Sequence, residues 1–172
     1  SRPVWFHASK EVARRTLTDT KQWPQDRIDE VDWEHLDLAM SSKSDMYKTW
    51  RSKQHSGFCG TRVQVGKYSG LECPDEKCPN CGRRETADHI LLCPHEDRMR
   101  LLDDTTDDLS GWLNQEHLTD LELAYWIPKY ILMRGDKPFS SLGTMSPRMR
   151  ALAISQDKIG WRNFMEGCIS IH

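Results

Sequence analysis

The chain has 172 residues, 37% of them hydrophobic and 29% charged, with a mean hydropathy of −0.72. That is room for one ordinary domain or two small ones, with a modest core to which seven tryptophans add bulk. The formal net charge of −2 argues against a uniformly basic nucleic-acid surface, and no apolar run approaches the roughly 18 residues of a membrane span.

No signal peptide is visible, so an intracellular location is the expectation. The opening Ser-Arg-Pro, without Met, is what a piece excised from a longer chain would show. Apolar positions step mostly by three and four, which predicts a mainly α fold with little β. Val12, Ala13 and Leu17 sketch a short helix over 9–18. A second begins at Asp26, carries a ragged face of Ile28, Val31, Leu36, Leu38 and Met40, and ends at Ser41-Ser42. Ser44 caps a third, with Met46, Tyr47 and Trp50 turned inward, closing at His55-Ser56-Gly57. Residues 58–77 hold several glycines and the alternation Val63-Gln64-Val65, which predicts loop with one small strand.

Past a cysteine-rich stretch, two short helices are predicted, 95–104 with Met99, Leu101 and Leu102, and 106–114 burying Leu109, Trp112 and Leu113. Thr119-Asp120-Leu121-Glu122 has the form of a capping box. It opens an apolar helix with Leu123, Tyr125, Trp126, Ile127, Tyr130, Ile131 and Met133, which Pro128 should kink or split and Gly135 ends. Residues 135–146 read as loop, and Ser146-Pro147 starts a last helix running to about 169, with Leu152, Ile159, Trp161, Phe164, Met165 and Ile169 inside. The expected organisation is an N-terminal helical segment 1–57, a loop plus metal module 58–95 and a C-terminal helical segment 96–172, in one compact unit.

The cysteine-rich stretch is CPNCGRRETADHILLC, residues 78–93, with the spacing Cys-x2-Cys-x7-His-x3-Cys. Six cysteines permit three disulfides, but a disulfide framework normally spreads its cysteines through the chain. Two residues between Cys78 and Cys81 let the chain curl so that both sulfurs meet one ion, and Gly82 can take the positive φ that turns N–H groups toward the thiolates. His89 and Cys93, four apart, share a helix face, and Pro94 stops that helix. Cys78, Cys81, His89 and Cys93 therefore predict a closed Zn2+ site, structural because four protein ligands leave no open position. Disulfides or unbound buried thiols are the alternatives. Cys59, Cys73 and His95 are reserve ligands, the two cysteines otherwise reading as small buried or loop thiols. His55 and Cys59 repeat the His-x3-Cys spacing without two evident partners.

Charge alternates in blocks. Residues 43–67 hold Lys43, Lys48, Arg51, Lys53, Arg62 and Lys67 against Asp45 alone, 96–122 hold nine acids against Arg98 and Arg100, and 129–162 hold seven bases against Asp136 and Asp157. Such blocks are ordinarily solvated faces, although the two basic ones would make a phosphate-facing surface if the fold joined them. Enzyme signals do not hold up. Asp75-Glu76-Lys77 resembles nuclease chemistry only superficially, because those groups must come from separate strands around a metal. Asp103-Asp104 and Asp107-Asp108 read as solvated acids, and no phosphate loop or nucleophile elbow is present.

CPNCGRRETADHILLCP resembles the zinc-binding region downstream of the polymerase domain in non-LTR retrotransposon reverse transcriptases and their relatives. That pattern is Cys-Pro-x-Cys-Gly, then Glu-Thr, then His-Leu and a final Cys. Here it falls on Cys78, Pro79, Cys81, Gly82, Glu85, Thr86, His89, Leu91 or Leu92, and Cys93. Trp50 in KTWRSKQHSG, with its basic neighbours, also suits that family. ISQDKIGWRNFMEG, residues 154–167, resembles a segment that follows the finger in retroelement-derived proteins of algal genomes. The likeness is carried by roughly residues 47–95.

The resemblance implies a non-catalytic, zinc-stabilised accessory region that helps a retroelement protein engage RNA or DNA. It carries over Cys78, Cys81, His89 and Cys93 as ligands. Lys48, Arg51, Lys53, Arg62, Lys67, Arg83 and Arg84 would face phosphates, Arg83 and Arg84 on ordered backbone between the ligand pairs. No polymerase catalytic strand is present, and the acidic 96–122 block departs from a nucleic-acid surface. That block is expected to meet another domain or a basic partner protein. The alternative function is a zinc-stapled protein-interaction module without nucleic-acid binding, using an apolar patch near Trp126 or Trp161, both of which read more plainly as core.

Overall fold

The structure, a computed structural model, describes residues 18–19, 21–55, 59–68, 75–115 and 119–171. Residues 9–17 of the expected helix over 9–18 and Cys73 lie outside them, as does the side chain of His55, while Thr18 is described and helical. Among the described residues the fold is mainly helical, with nine α-helices, one 3-10 turn and two isolated β-bridges but no sheet.

The predicted second helix is two, α1 (Gln25–Asp29) and α2 (Trp33–Ser41). Between them Val31 is buried and bridges Ser170 antiparallel, the Asp32 N–H donating to the Ile169 carbonyl at 2.8 Å and the Ile171 N–H to the Glu30 carbonyl at 2.9 Å. The C-terminal segment takes the backbone groups that a continuous helix would have used. Leu38, expected inward, is exposed. In α3 (Asp45–His55) the Ser44 hydroxyl accepts from the Tyr47 N–H at 3.3 Å, the expected cap. Its expected core face points outward, with Met46 at 83%, Trp50 at 52% and Tyr47 at 43% exposure. Arg51, on another side of the helix, meets the body instead, donating through Nη2 to the Glu166 and Gly167 carbonyls at 3.3 and 3.4 Å.

The predicted strand at 63–65 is helical, within α4 (Arg62–Tyr68). The buried Thr61 accepts from the Gln64 N–H through its hydroxyl at 3.2 Å, and this local cap overrides the valine alternation. After α5 (Ala87–Leu92), the two short helices expected over 95–114 are one, α6 (Glu96–Gln115). At the expected gap between them Thr105, and next to it Thr106, donate their hydroxyls back to the Leu101 and Leu102 carbonyls at 2.7 Å. Leu113 is buried in α6, whereas Trp112 is exposed.

Helix α7 (Leu121–Leu132) is capped by Asp120 rather than Thr119, its carboxylate accepting from the Glu122 and Leu123 N–H groups. Glu122 does not reach back as in a capping box. It accepts from the Ser146 N–H at 3.1 Å and from the Ser146 hydroxyl, tying α7 to the start of α8 (Pro147–Ile159). Pro128 is buried inside α7 without ending it. Ser146 caps α8 through the Met149 N–H at 3.2 Å, as expected. The long last helix stops at Gly160, whose φ of 86° and ψ of 157° break it before α9 (Trp161–Met165), and Ile169 is exposed beyond.

Two buried clusters meet along α8. Trp23, Ile28, Val31 and Trp33 pack with Ile159 and Cys168, while Trp126, Tyr130, Phe139, Met145 and Trp161 pack with Met149 and Ala153. Tyr130 stacks on Phe139 at 4.3 Å, and the Trp161 indole N–H donates to the Tyr130 carbonyl at 2.9 Å. Trp126 and Trp161 are thus core, so no binding patch is built on either. No helix among the described residues is long and apolar enough to cross a membrane.

Candidate metal centre

The chain from Lys77 to Arg84 folds back on itself. Lys77 bridges Arg84, the Cys78 N–H donates to the Arg83 carbonyl at 2.6 Å, and the Gly82 N–H donates to the Cys78 carbonyl at 2.9 Å. Gly82 takes φ 72°, the left-handed turn expected after the second cysteine. This knuckle presents Cys78 and Cys81. Thr86 then starts α5, its hydroxyl accepting from the His89 N–H at 3.2 Å, and the helix carries His89 with Cys93 at its C-terminal boundary.

The four ligand atoms lie within 4.8 Å of one another, so Cys78, Cys81, His89 and Cys93 can hold one metal ion. The Cys78 and Cys93 sulfurs are 3.9 Å apart, and Cys81 Sγ is 3.2 Å from His89 Nε2. Cys78 and Cys93 are buried, Cys81 and His89 partly so. Burial pushes the Cys78 thiol up, but the backbone N–H groups of Cys81 and Asn80, with His89 and Cys93, outweigh it and bring the thiol from 9.0 down to about 6. Burial first, then the neighbouring Cys81 and Cys78, holds Cys93 above 9.0.

Three contacts that sequence reasoning missed hold this module in place. Glu85 accepts from the Arg62 N–H through its carboxylate at 3.1 Å, and its carbonyl accepts from the Val63 N–H at 3.4 Å, so the knuckle caps α4. Arg134, at φ 51° just past α7, donates to the Leu91 and Cys93 carbonyls at 3.2 and 2.9 Å, satisfying the end of the ligand-bearing helix. Arg162 pairs with Asp88 beside His89 and, at 2.9 Å, with Glu166. Arg134 and Arg162 look in the sequence like two members of a basic block. Only the Glu-Thr pair of the motif hinted at Glu85, without saying what it holds.

Of the expected phosphate-facing residues, Arg62, Lys67, Arg83 and Arg84 gather around the knuckle. Arg62 pairs with Asp75 at 3.2 Å, and Arg84 with Glu76 at 2.6 Å, a contact that raises Arg84 above its ordinary value and lowers Glu76. Lys67 also acts on Glu76, and Arg83 is exposed. Lys48, Arg51 and Lys53 are carried by another helix, α3, Arg51 turned inward as described and Lys48 3.8 Å from Asp45. Within the second basic block Arg134, Lys158 and Arg162 are engaged by the fold, while Lys137 and Arg150 are exposed. A cleft of about 480 Å³ beside α5 is lined by Arg27, Arg134, Lys158 and Arg162, but Arg134 and Arg162 are engaged as above, Lys158 pairs with Glu30 at 3.0 Å and Arg27 lies over Trp23.

Of the reserve ligands, Cys59 and His95 stand outside the cluster. Cys59 is buried with its thiol raised by burial, and the fully buried Cys168 is pushed by burial up to about 12. His95 Nδ1 accepts instead from the Asp97 N–H at 3.3 Å. Asp103, Asp104, Asp107 and Asp108 are exposed on α6. The chain matches no protein-family model, no curated protein and no solved structure, and its likeness to the retrotransposon finger rests on the motif.

Proposed function

We propose that this chain is a non-catalytic, zinc-stabilised accessory domain that binds RNA or DNA, of the kind found beside non-LTR retrotransposon reverse transcriptases. Zn2+ suits the donor set of three thiolates and one imidazole. A zinc tetrahedron with bonds of about 2.3 and 2.0 Å has S–S and S–N edges of roughly 3.8 and 3.5 Å. The observed 3.9 and 3.2 Å fit an ion of that size. Four protein ligands complete its shell, so its role is to fix the chain.

The observation that carries the reading is the placement of cations on the knuckle. Arg83 and Arg84 sit between the two ligand pairs, and the Glu85 contact brings Arg62 and Lys67 of α4 alongside. A bound ion stiffens backbone that is otherwise held by a few hydrogen bonds, and it presents these cations to phosphates in a fixed array. The test is binding of labelled RNA and DNA by the metal-loaded protein over a salt series. With three phosphate contacts to a single strand, affinity falls roughly twentyfold between about 50 and 200 mM salt. Absence of salt-sensitive binding at low ionic strength sinks the reading.

A second reading, a protein-interaction module, is favoured by one observation. Trp112 on α6 and Leu121 and Tyr125 on α7 are exposed at 57%, 81% and 56%, near the acidic block. Such a module binds a basic protein with no dependence on nucleic acid, which a pull-down with and without nuclease separates from the first.

A further inference from the structure

Helix α3 is the element least explained by the fold. It has 11 residues, short for a helix to be stable in water alone, and none of its described side chains is buried. Ser44 caps it, and Arg51 pins it to the C-terminal segment through two carbonyls. On its outer side Met46, Trp50 and Lys53 follow one another at helical spacing, with Tyr47 beside them. The Tyr47 and Trp50 rings are 5.5 Å apart and tilted by 39°, so they make one continuous aromatic surface in solvent. Lys53 shares this side of the helix and Lys43 stands just before its first turn, whereas Lys48 lies across the helix beyond Arg51 and 3.8 Å from Asp45, the one acid between 43 and 55.

An apolar groove for a partner helix would need an unbroken apolar stripe with a mixed rim. Here the aromatic surface is small, bounded by Lys53 on its own side of the helix and by Lys43 just before the first turn. Flat rings among cations match a chain that alternates flat bases with phosphates, and only an unpaired strand exposes its base faces. We propose that Tyr47 and Trp50 form a stacking platform for the bases of a single-stranded nucleic acid, with Lys43 and Lys53 taking its phosphates. This rests on the nucleic-acid reading above and adds to it a strand type and a surface on a different helix.

The metal-loaded protein is titrated with a labelled single-stranded oligonucleotide of mixed sequence and with the duplex of the same sequence. The single strand is expected to bind at least about tenfold tighter. Trp50→Ala is expected to weaken single-strand binding by roughly five- to a hundredfold, the range of one lost base stack, while Trp50→Phe keeps most of it. Tyr47→Ala acts in the same direction, and both alanine variants keep the parent melting temperature because the side chains are exposed. If neither nucleic acid binds, the proposed function fails and takes the platform with it. If both bind and the aromatic variants change nothing, or the duplex binds as well as the single strand, the nucleic-acid reading stands and the platform is overturned. It is also overturned if sedimentation shows a dimer that Trp50→Ala dissociates, which assigns the face to a second copy of the chain.

Discussion

Arg134 shows how much one side chain can carry without a motif to announce it. Its guanidinium satisfies the Leu91 and Cys93 carbonyls, and its backbone takes the left-handed turn that ends α7. A ligand at the end of a helix is only as well placed as that end, so this residue positions Cys93 from a part of the chain about forty residues away. Arg134→Ala removes two charge-assisted hydrogen bonds from a partly buried site, which costs about 1.5–3 kcal/mol. Melting followed by circular dichroism should drop by roughly 3–10 °C, and metal affinity measured against a competing chelator should fall with it. Arg150→Ala, on an exposed position of α8, is the matched control and should stay within about 0.5 kcal/mol of the parent. A melting temperature unchanged in Arg134→Ala would show that the two carbonyls are served equally well by water.

At the scale of elements, helix starts were more legible than helix ends. Ser44 and Ser146 name their caps in the sequence because the hydroxyl acts on an N–H three residues on. Ends depend on distant partners. The break at Val31 needs the C-terminal residues to bridge it, and the break at Gly160 turns Trp161 toward the Tyr130 and Ile131 carbonyls. The four candidate ligands were readable from spacing because they lie within sixteen residues and converge to within 4.8 Å of one another. The anchors Glu85, Arg134 and Arg162 were not, because nothing local distinguishes a cation that holds a carbonyl from one facing solvent. The inward face expected of α3 failed for the opposite reason, since periodicity reports an apolar face and not what covers it. Gly160 gives this scale its test. Its φ of 86° and ψ of 157° lie in a region that essentially only glycine occupies, so Gly160→Ala costs about 1–3 kcal/mol although nothing lies within 4 Å of the added carbon. Gly111, inside α6 and equally open, should do the reverse, Gly111→Ala stabilising by up to about 1 kcal/mol. Urea unfolding of the two variants reads both signs, and equal shifts would mean that the break is not strained toward glycine.

If the cluster holds Zn2+ as proposed, the question for the whole molecule is how far loss of the ion spreads. The module is tied on both sides, to α4 through Glu85 and to the C-terminal helices through Arg134 and Arg162. Without the ion, three thiols and an imidazole remain packed together with little else to hold the knuckle closed, and each tie loses its fixed end. Chelation is therefore expected to lower the melting temperature by at least about 10 °C, since structural zinc binding is folding free energy. It should also remove more helical signal than the six residues of α5 account for. Cys81→Ser should mimic chelation, and metal analysis should return one ion per chain in the parent. The effect has a defined direction with pH. The Cys78 thiol lies at about 6 in the fold against an ordinary 9.0, so the stabilisation from its ionisation is fully present above 9.0 and is lost as pH falls through 6. Cys93, held above 9.0, must give up a proton to bind at neutral pH. Both make acid compete with the metal, so affinity declines from pH 8 downward and most steeply below about 6. The gap in melting temperature between loaded and chelated protein should then close near pH 5. A gap as wide at pH 5 as at pH 7.5 would mean that the four residues are not thiolate ligands of one ion, and the cluster would have to be read as buried thiols packed in a core.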